Sequence, residues 1–438
     1  MTALSRRTVL VLAASLVVAG CTDPGSGGAT TTTGPATWAD PAGRLDGVTL
    51  TLWAAQNSNT VPAKVIADFQ AATGATVEVV TIPDPYEQGV QTRVATGDKP
   101  DLAFWQPTAS MLTALNAKNN LQPLTDVPWL PQLAPELKDI TGILDDTRYA
   151  ALVTSPAVEG VYYNKEVFAA GGITTTPKNF DEMVTVARQL KAKGVTPFHE
   201  MAADRWATQW WVQVQLADAA KDGFWEKVNT KQETFSSPVV VDAIKKYKAL
   251  IDEGLFNSDI KTATFADQGR ALLDGKAAMV VQVNSFFGQL QASADTAALD
   301  AKVGFFPISP TGNVGTFIPD QSNALVAFRT GDAKREAAAR QLLAYWMGPG
   351  YPSFVADRKT ISLEPSVPTP DGVPQALKDV HASLGTAVGS MQASAAANPD
   401  LYINLADMIT GTMTPDEVAA ATQTQFEQLA KAAGVPGF

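Results

Sequence analysis

The side chains in this sequence best suited to binding chemistry are aromatic: Trp53, Trp105, Trp206, Trp210, Trp211 and Trp225, with Tyr162, Tyr163, Phe286 and Phe287. An aromatic face stacks on the apolar CH face of a sugar ring, while neighbouring amides and carboxylates satisfy its hydroxyls. Trp53 and Trp105 each close a predicted strand. Ligands of open α/β sheets lie beyond the carboxyl ends of strands, so both are expected to face a crevice. The competing reading is burial in a core, which is expected for one of the adjacent pair Trp210 and Trp211 and for Trp225. Carboxylates are the other candidates, because two of them flanking a glycosidic bond make a hydrolase. Glu159, Asp101, Asp204 and Asp320 are available, but no spacing selects a pair. Asp101, in Asp98-Lys-Pro-Asp101, is expected to end a helix and start a strand, a structural role. Metal and nucleophile chemistry has little to work with. There are two histidines, His199 and His381, and no CxxC, HExxH, GxSxG or GxxxxGK[ST] motif, so no catalytic residue, metal site or cofactor is expected.

The elements that must position these residues alternate between strand and helix. Val48-Thr-Leu-Thr-Leu-Trp53 alternates apolar and polar side chains, and 62–73 places Val65, Ile66 and Phe69 on one helical face before Gly74 stops it. Strands follow at 76–80 and 101–105. This is the βαβ rhythm of a parallel sheet. A helix over 179–193 carries Asn179 and Glu182 at capping-box spacing, with Phe180, Met183, Val184, Ala187 and Leu190 on one face. Val240, Ala243, Ile244 and Tyr247 mark another helix, closed by Gly254, and Thr414-Pro-Asp-Glu417 opens the last one. In a strand Tyr162 and Tyr163 point opposite ways, so at most one of them reaches a ligand. The fold class is therefore α/β. With 438 residues, 45% of them apolar, the chain exceeds what one core serves, and two lobes are expected.

The N-terminus has its own chemistry. Cys21 is the sole cysteine and follows two arginines, Arg6 and Arg7, and an apolar run starting at Val9. That is the shape of a secretory signal, too short to span a bilayer stably. Val18-Ala-Gly-Cys21 resembles the lipobox of bacterial lipoproteins, which implies a diacylglyceryl group on the Cys21 sulfur and durable anchoring, since each buried methylene adds roughly 0.8 kcal/mol. Ser5-Arg-Arg-Thr-Val-Leu10 also resembles a twin-arginine export signal, so the export route stays open. The tract 22–37 has no large apolar side chain and reads as a flexible tether. Loss of residues 1–20 removes two arginines and no acid, taking the formal charge from −11 to −13. A chain this acidic is ill suited to nucleic acid and is not drawn to anionic lipid by charge. With one cysteine it forms no internal disulfide.

Six stretches, taken together and in order, resemble the extracellular solute-binding proteins of ABC importers, specifically the family 1 sugar-binding group related to maltose-binding protein. They are Gly47-Val-Thr-Leu-Thr-Leu-Trp53 with Val77-Glu-Val-Val80; Ala95-Thr-Gly-Asp-Lys-Pro-Asp-Leu-Ala-Phe-Trp105; Ala157-Val-Glu-Gly-Val-Tyr-Tyr-Asn-Lys-Glu-Val-Phe168 with Pro177-Lys-Asn-Phe-Asp-Glu-Met183 and Lys193-Gly-Val-Thr-Pro197; Ala271-Leu-Leu-Asp-Gly-Lys-Ala-Ala-Met279; Val303-Gly-Phe-Phe-Pro-Ile308; and Ala337-Ala-Ala-Arg-Gln-Leu-Leu343. The resemblance implies the two-lobed, type II periplasmic-binding-protein fold, with a hinge between lobes that close on ligand. It implies a signal peptide at 1–20, a lipidated Cys21 and linker over 21–45, one lobe from 46–156 plus about 312–356, and the other from 157–311 plus about 357–438. The ligand contacts it implies are Gln56, Asn57, Trp105, Glu159, Trp206, Asn284, Phe286, Asp320, Gln321 and Tyr402. The function it implies is non-catalytic capture of a mono- or oligosaccharide for an ABC permease, by a monomer held at the outer face of the cell membrane. The alternatives are an exported carbohydrate-active enzyme, or a receptor for a polyamine, a phosphorylated polyol or a peptide. Glu159 is the acid a cation would use, and Arg205, beside Trp206, is the base a phosphate ester would use.

Overall fold

The structure, a computed structural model, describes residues 38–55, 61–83, 86–320 and 323–438. Its strands in chain order are β1 (Thr49–Ala55), β2 (Thr76–Ile82), β3 (Leu102–Phe104), β4 (Ile143–Leu144), β5 (Thr147–Arg148), β6 (Ala150–Leu152), β7 (Ala157–Asn164), β8 (Thr196–Phe198), β9 (Ala277–Gln282), β10 (Val303–Phe306), β11 (Thr316–Ile318), β12 (Ala324–Ala327) and β13 (Val388–Gly389). One sheet has the order β2-β1-β3-β12-β6, and the other β13-β11-β7-β9-β8, with β10 also on β7.

The first sheet begins as the expected βαβ unit. β1 pairs in parallel with β2 and with β3, and the helix Ala63–Thr73 crosses between β1 and β2. That helix buries Val65, Ile66 and Phe69 and ends at Gly74, whose left-handed φ of 78° lets its N–H reach the Gln70 carbonyl. β12 then joins antiparallel between β3 and β6, so the chain returns to this sheet after building the other. Asp101 locks the start of β3. It is fully buried, accepts from the Thr51 N–H at 2.7 Å and hydroxyl at 3.1 Å, and pairs with Arg335 at 2.7 Å. The structural role expected of Asp101 is what the structure gives it.

The second sheet is organised on β7, which pairs antiparallel with β9, β10 and β11. Gly160 lets β7 pass beneath an aromatic ring, since a Cβ there would stand 2.5 Å from Phe305. The helix Phe180–Ala192 packs the five predicted side chains inward, with the Asn179 side chain accepting from the Glu182 N–H. The reciprocal arm differs from a capping box, because the Glu182 carboxylate accepts from the Lys178 N–H instead. The last helix, Pro415–Ala432, has both arms of its predicted Thr414–Glu417 box.

The structure departs from three of the expected boundaries. Residues 38–45, placed in the linker, are seated: the Trp38 ring meets Trp129 edge-on at 5.1 Å, and its indole N–H donates to the Thr125 carbonyl at 3.0 Å. Thr316–Ile318, placed with the first lobe, is a strand of the second sheet. Residues beyond 356, placed with the second lobe, still hold to first-sheet elements, because the Leu363 carbonyl accepts from the Ala134 N–H at 2.9 Å and its N–H donates to the Tyr351 hydroxyl at 2.9 Å. Cys21 and the whole segment 1–37 lie outside the described residues. Among the described residues no helix is long and apolar enough to cross a membrane.

Candidate functional site

The chain passes between the sheets at 153–156 and again between Ile318 and Ala324, and Asn323 ties the two crossings together. Its side-chain amide donates to the Thr154 hydroxyl at 3.0 Å and to the Ser155 carbonyl at 2.8 Å, and its Oδ1 accepts from the Asp320 N–H at 2.7 Å. The Asn284 Oδ1, from the second sheet, accepts from the Val158 N–H at 2.8 Å, just past the first crossing. Thr154, Ser155, Asn284, Asp320 and Asn323 all line one cleft of about 950 Å³. Both sheets contribute walls, and the volume suits a small solute of a few rings.

Its aromatic wall is built by a strained turn. Arg205 has φ 62° and ψ −52°, and the Trp206 N–H donates to the Asp204 carbonyl at 2.7 Å, which closes a γ-turn of the rarer hand. A non-glycine residue held there costs of order 1–3 kcal/mol and persists where the surroundings impose it. The imposing contacts are specific. Asp204 accepts from the Phe265 N–H at 2.6 Å, and the Trp206 carbonyl accepts from the Gln209 amide at 2.9 Å. Buried glutamines continue the chain, with Gln392 donating to Gln209 at 2.8 Å, Gln213 donating to Gln392 at 2.7 Å, and the Gln213 Oε1 accepting from the Met391 N–H at 2.9 Å. The result is Trp206 and Phe265 edge-to-face at 5.1 Å on the cleft wall, with Asp204 beside them.

Three of the residues expected at the site are in the cleft: Trp206, Asn284 and Asp320. Tyr402 is half-buried next to them. Its carbonyl accepts from the Thr208 hydroxyl at 2.9 Å, and its phenol pKa is raised by burial and then by Asp400 and by Glu87, an acid on the cleft wall. Gln56, Asn57 and Gln321 lie outside the described residues.

Trp105, Glu159 and Phe286 are corrected by the structure. Trp105 is fully buried with its indole N–H on the Met111 carbonyl at 3.0 Å. The reason is the two-residue period of an extended chain: Phe104 and Gln106 face the cleft, so the residue between them turns away. Trp53 is likewise in the core, with the Arg93 guanidinium over its ring. Glu159 lies on the middle of β7 opposite Thr316, whose hydroxyl donates to it. Full burial raises its pKa well above the usual carboxylate range, and its place in the core, bonded to Thr316, takes it out of ligand contact. Phe286 packs edge-on against Tyr162 at 5.5 Å, and the next residue, Phe287, lines the cleft. Neither Tyr162 nor Tyr163 reaches it; Tyr162 is buried and Tyr163 packs on Phe168 at 4.5 Å. Trp210, Trp211 and Trp225 are all buried, so both members of the adjacent pair are core.

The cleft also has residues that sequence reasoning passed over: Glu87, Gln106, Phe265, Gln289, Arg358 and Lys359. For Gln106 a signal existed in the strand period itself. Among the described residues no group of three acidic, histidine or cysteine side chains could hold a metal ion.

Comparison with known proteins agrees with this architecture. Residues 54–351 match the family described as bacterial extracellular solute-binding protein. A binding protein of Brucella abortus (strain 2308) is 26% identical over 203 residues, 44% of this chain and 46% of the relative. The multiple sugar-binding protein of Streptococcus mutans is 25% identical over 229 residues, 49% of this chain and 52% of the relative. The chain thus spans about half the length of the curated relatives it matches. The solved structure of a chitin oligosaccharide binding protein superposes with a TM-score of 0.73 at 20% identity, covering 88% of this chain and 99% of that one. At that identity the likeness establishes the two-lobed fold.

Proposed function

The chain belongs to the bacterial extracellular solute-binding proteins, and from that premise we propose that it captures a carbohydrate outside the cell and delivers it to an ABC importer. The observation that carries this reading is the aromatic corner of Trp206 and Phe265 in a cleft whose other walls offer the amides of Gln106, Asn284 and Gln289. Aromatic faces beside neutral hydrogen-bonding groups suit a sugar's alternation of CH faces and hydroxyls. The multiple sugar-binding relative and the chitin oligosaccharide binding structure support the class. The crossings tied by Asn323 form the hinge, and ligand held by both walls stabilises the closed form that a permease recognises. Cys21 carries the lipid anchor and 22–37 the tether, which keeps a loaded monomeric receptor near its permease at high effective concentration.

The direct test is the melting temperature of the chain from Trp38 onward against mono-, di- and oligosaccharides, with the same mixtures assayed for breakdown. A ligand at about a hundred times its dissociation constant adds roughly 2.7 kcal/mol. A large shift with intact sugar supports the receptor. No shift across the panel removes the carbohydrate, and breakdown products replace the receptor with an exported enzyme. The strained turn gives a sharper check. Arg205→Pro fixes φ near −65°, opposite in sign to the native 62°, and should weaken the identified sugar about tenfold, one aromatic contact's worth. Unchanged affinity in a titration of that variant would mean that the turn does not place Trp206 for binding.

A further inference from the structure

Two cations, Arg358 and Lys359, line the cleft without a partner among the described residues. Arg358 ends the helix Tyr351–Arg358, and Lys359 follows it; with Thr360 they line the cleft from the segment after that helix. Among the described residues neither side chain has a hydrogen-bond or ion-pair partner; the nearest charge acting on Arg358 is its neighbour Asp357. The cleft's acids differ. Asp204 accepts from the Phe265 N–H, and Glu87 and Asp320 have partners as well.

A helix C-terminus favours a positive charge, which accounts for a cation at 358. It does not account for a guanidinium half-buried against the cleft with no acceptor, a position in which burial lowers its pKa. Nor does it account for Lys359. That residue caps the helix in the left-handed region, φ 47° and ψ 46°, where glycine is the default and a lysine is strained. Arg358 is therefore held at a cost in hydration, and the exposed Lys359 beside it at a cost in conformation, on the wall of a binding cleft in a strongly acidic chain.

We propose that the solute carries an anionic substituent, a carboxylate, sulfate or phosphate ester on a sugar ring, and that this group seats on Arg358 and Lys359. The planar guanidinium matches such oxyanions with two parallel hydrogen bonds, and lysine supplies a flexible second charge. A desolvated guanidinium recovers more from an anion than from a sugar hydroxyl, and the chain's net charge would repel an acidic sugar elsewhere on its surface. The inference rests on the carbohydrate reading and narrows it.

The test is calorimetric titration of the chain from Trp38 onward with saccharide pairs that differ only in the acidic group: uronic acids against their neutral parents, sulfated against unsulfated, and 6-phosphates against free sugars. The acidic member of one pair should bind at least about tenfold tighter, the value of one charge-assisted hydrogen bond, and the pair that responds identifies the oxyanion. Arg358→Gln should reduce that preference, read as the ratio of acidic to neutral affinity in the same variant, about tenfold. Lys359→Gly should lower the preference and raise the melting temperature together, since glycine relieves the left-handed strain. Neutral members binding as tightly as acidic ones, or a preference that survives both substitutions, overturns the assignment and leaves the receptor standing. No binding by either member of any pair overturns the carbohydrate reading and this one with it.

Discussion

Trp105→Ala should lower folding stability by about 3–5 kcal/mol and leave the affinity of the folded protein unchanged, whereas Trp206→Ala should do the reverse. The first magnitude is that of deleting a buried indole without collapse of the cavity. Trp105 is fully buried, its N–H is satisfied by the Met111 carbonyl, and its ring lies 6.4 Å from Tyr86. The second is a loss of about 2–3 kcal/mol of binding, roughly 30- to 150-fold, the size seen when an aromatic anchor of an interface is truncated. Trp206 is only half-buried, stands on the cleft wall, and is held by backbone groups that survive the substitution. Denaturant melts and sugar titrations of the two variants separate the cases. If Trp105→Ala abolished binding at full stability, the strand-period argument that turns it away from the cleft would fail.

That contrast locates what could be read in the chain. Local rules carried well: Gly74 stops its helix, Thr414 and Glu417 form their box, and Asp101 anchors a strand, because each depends on neighbours a few residues away or on one buried charge. The rhythm of the first strands also carried, since the apolar-polar alternation of β1 and β2 and the one-faced apolar helix between them are local patterns. The cleft did not carry as well. Both tryptophans assigned to it by their place at strand ends are core, because a strand end fixes where a residue lies and the pleat fixes which way it points. Trp206 was legible by family resemblance, but its orientation comes from a γ-turn at Arg205 and from glutamines as far away as Gln392. No local pattern encodes those partners. Arg358 and Lys359 reach the cleft only because the chain stays with the first sheet past 356, a boundary set by the Leu363 to Ala134 hydrogen bond.

The buried acids predict an unusual pH profile. Glu200 sits two residues past β8, fully buried, with its carboxylate accepting from the Met201 N–H at 2.7 Å and from the Tyr247 hydroxyl at 3.1 Å. Burial outweighs those bonds and pushes its pKa up to about 7. Burial also pushes Glu364 up to about 7 and raises Glu159 well above the carboxylate range. A carboxyl whose folded pKa exceeds its unfolded value, about 4.5, binds more protons folded than unfolded between those two values. Its contribution to stability is therefore complete below about pH 4.5 and is lost as pH rises through 7. For Glu200 the loss amounts to about 3 kcal/mol. Neighbouring His199 acts in the opposite sense, because burial lowers its pKa and favours the folded state as pH rises. Glu200→Gln isolates the acid's share. The wild-type protein should lose melting temperature between pH 5 and 8, and the variant should lose less and be the more stable of the two at pH 8. Parallel profiles would mean that the Met201 N–H and the Tyr247 hydroxyl suffice to keep Glu200 ionised throughout. Function is tied to the outcome, because Tyr247 stacks on Trp211 at 5.6 Å in the same core that carries the Trp206 turn. Charging Glu200 should thus loosen the aromatic wall of the cleft before the rest of the protein unfolds.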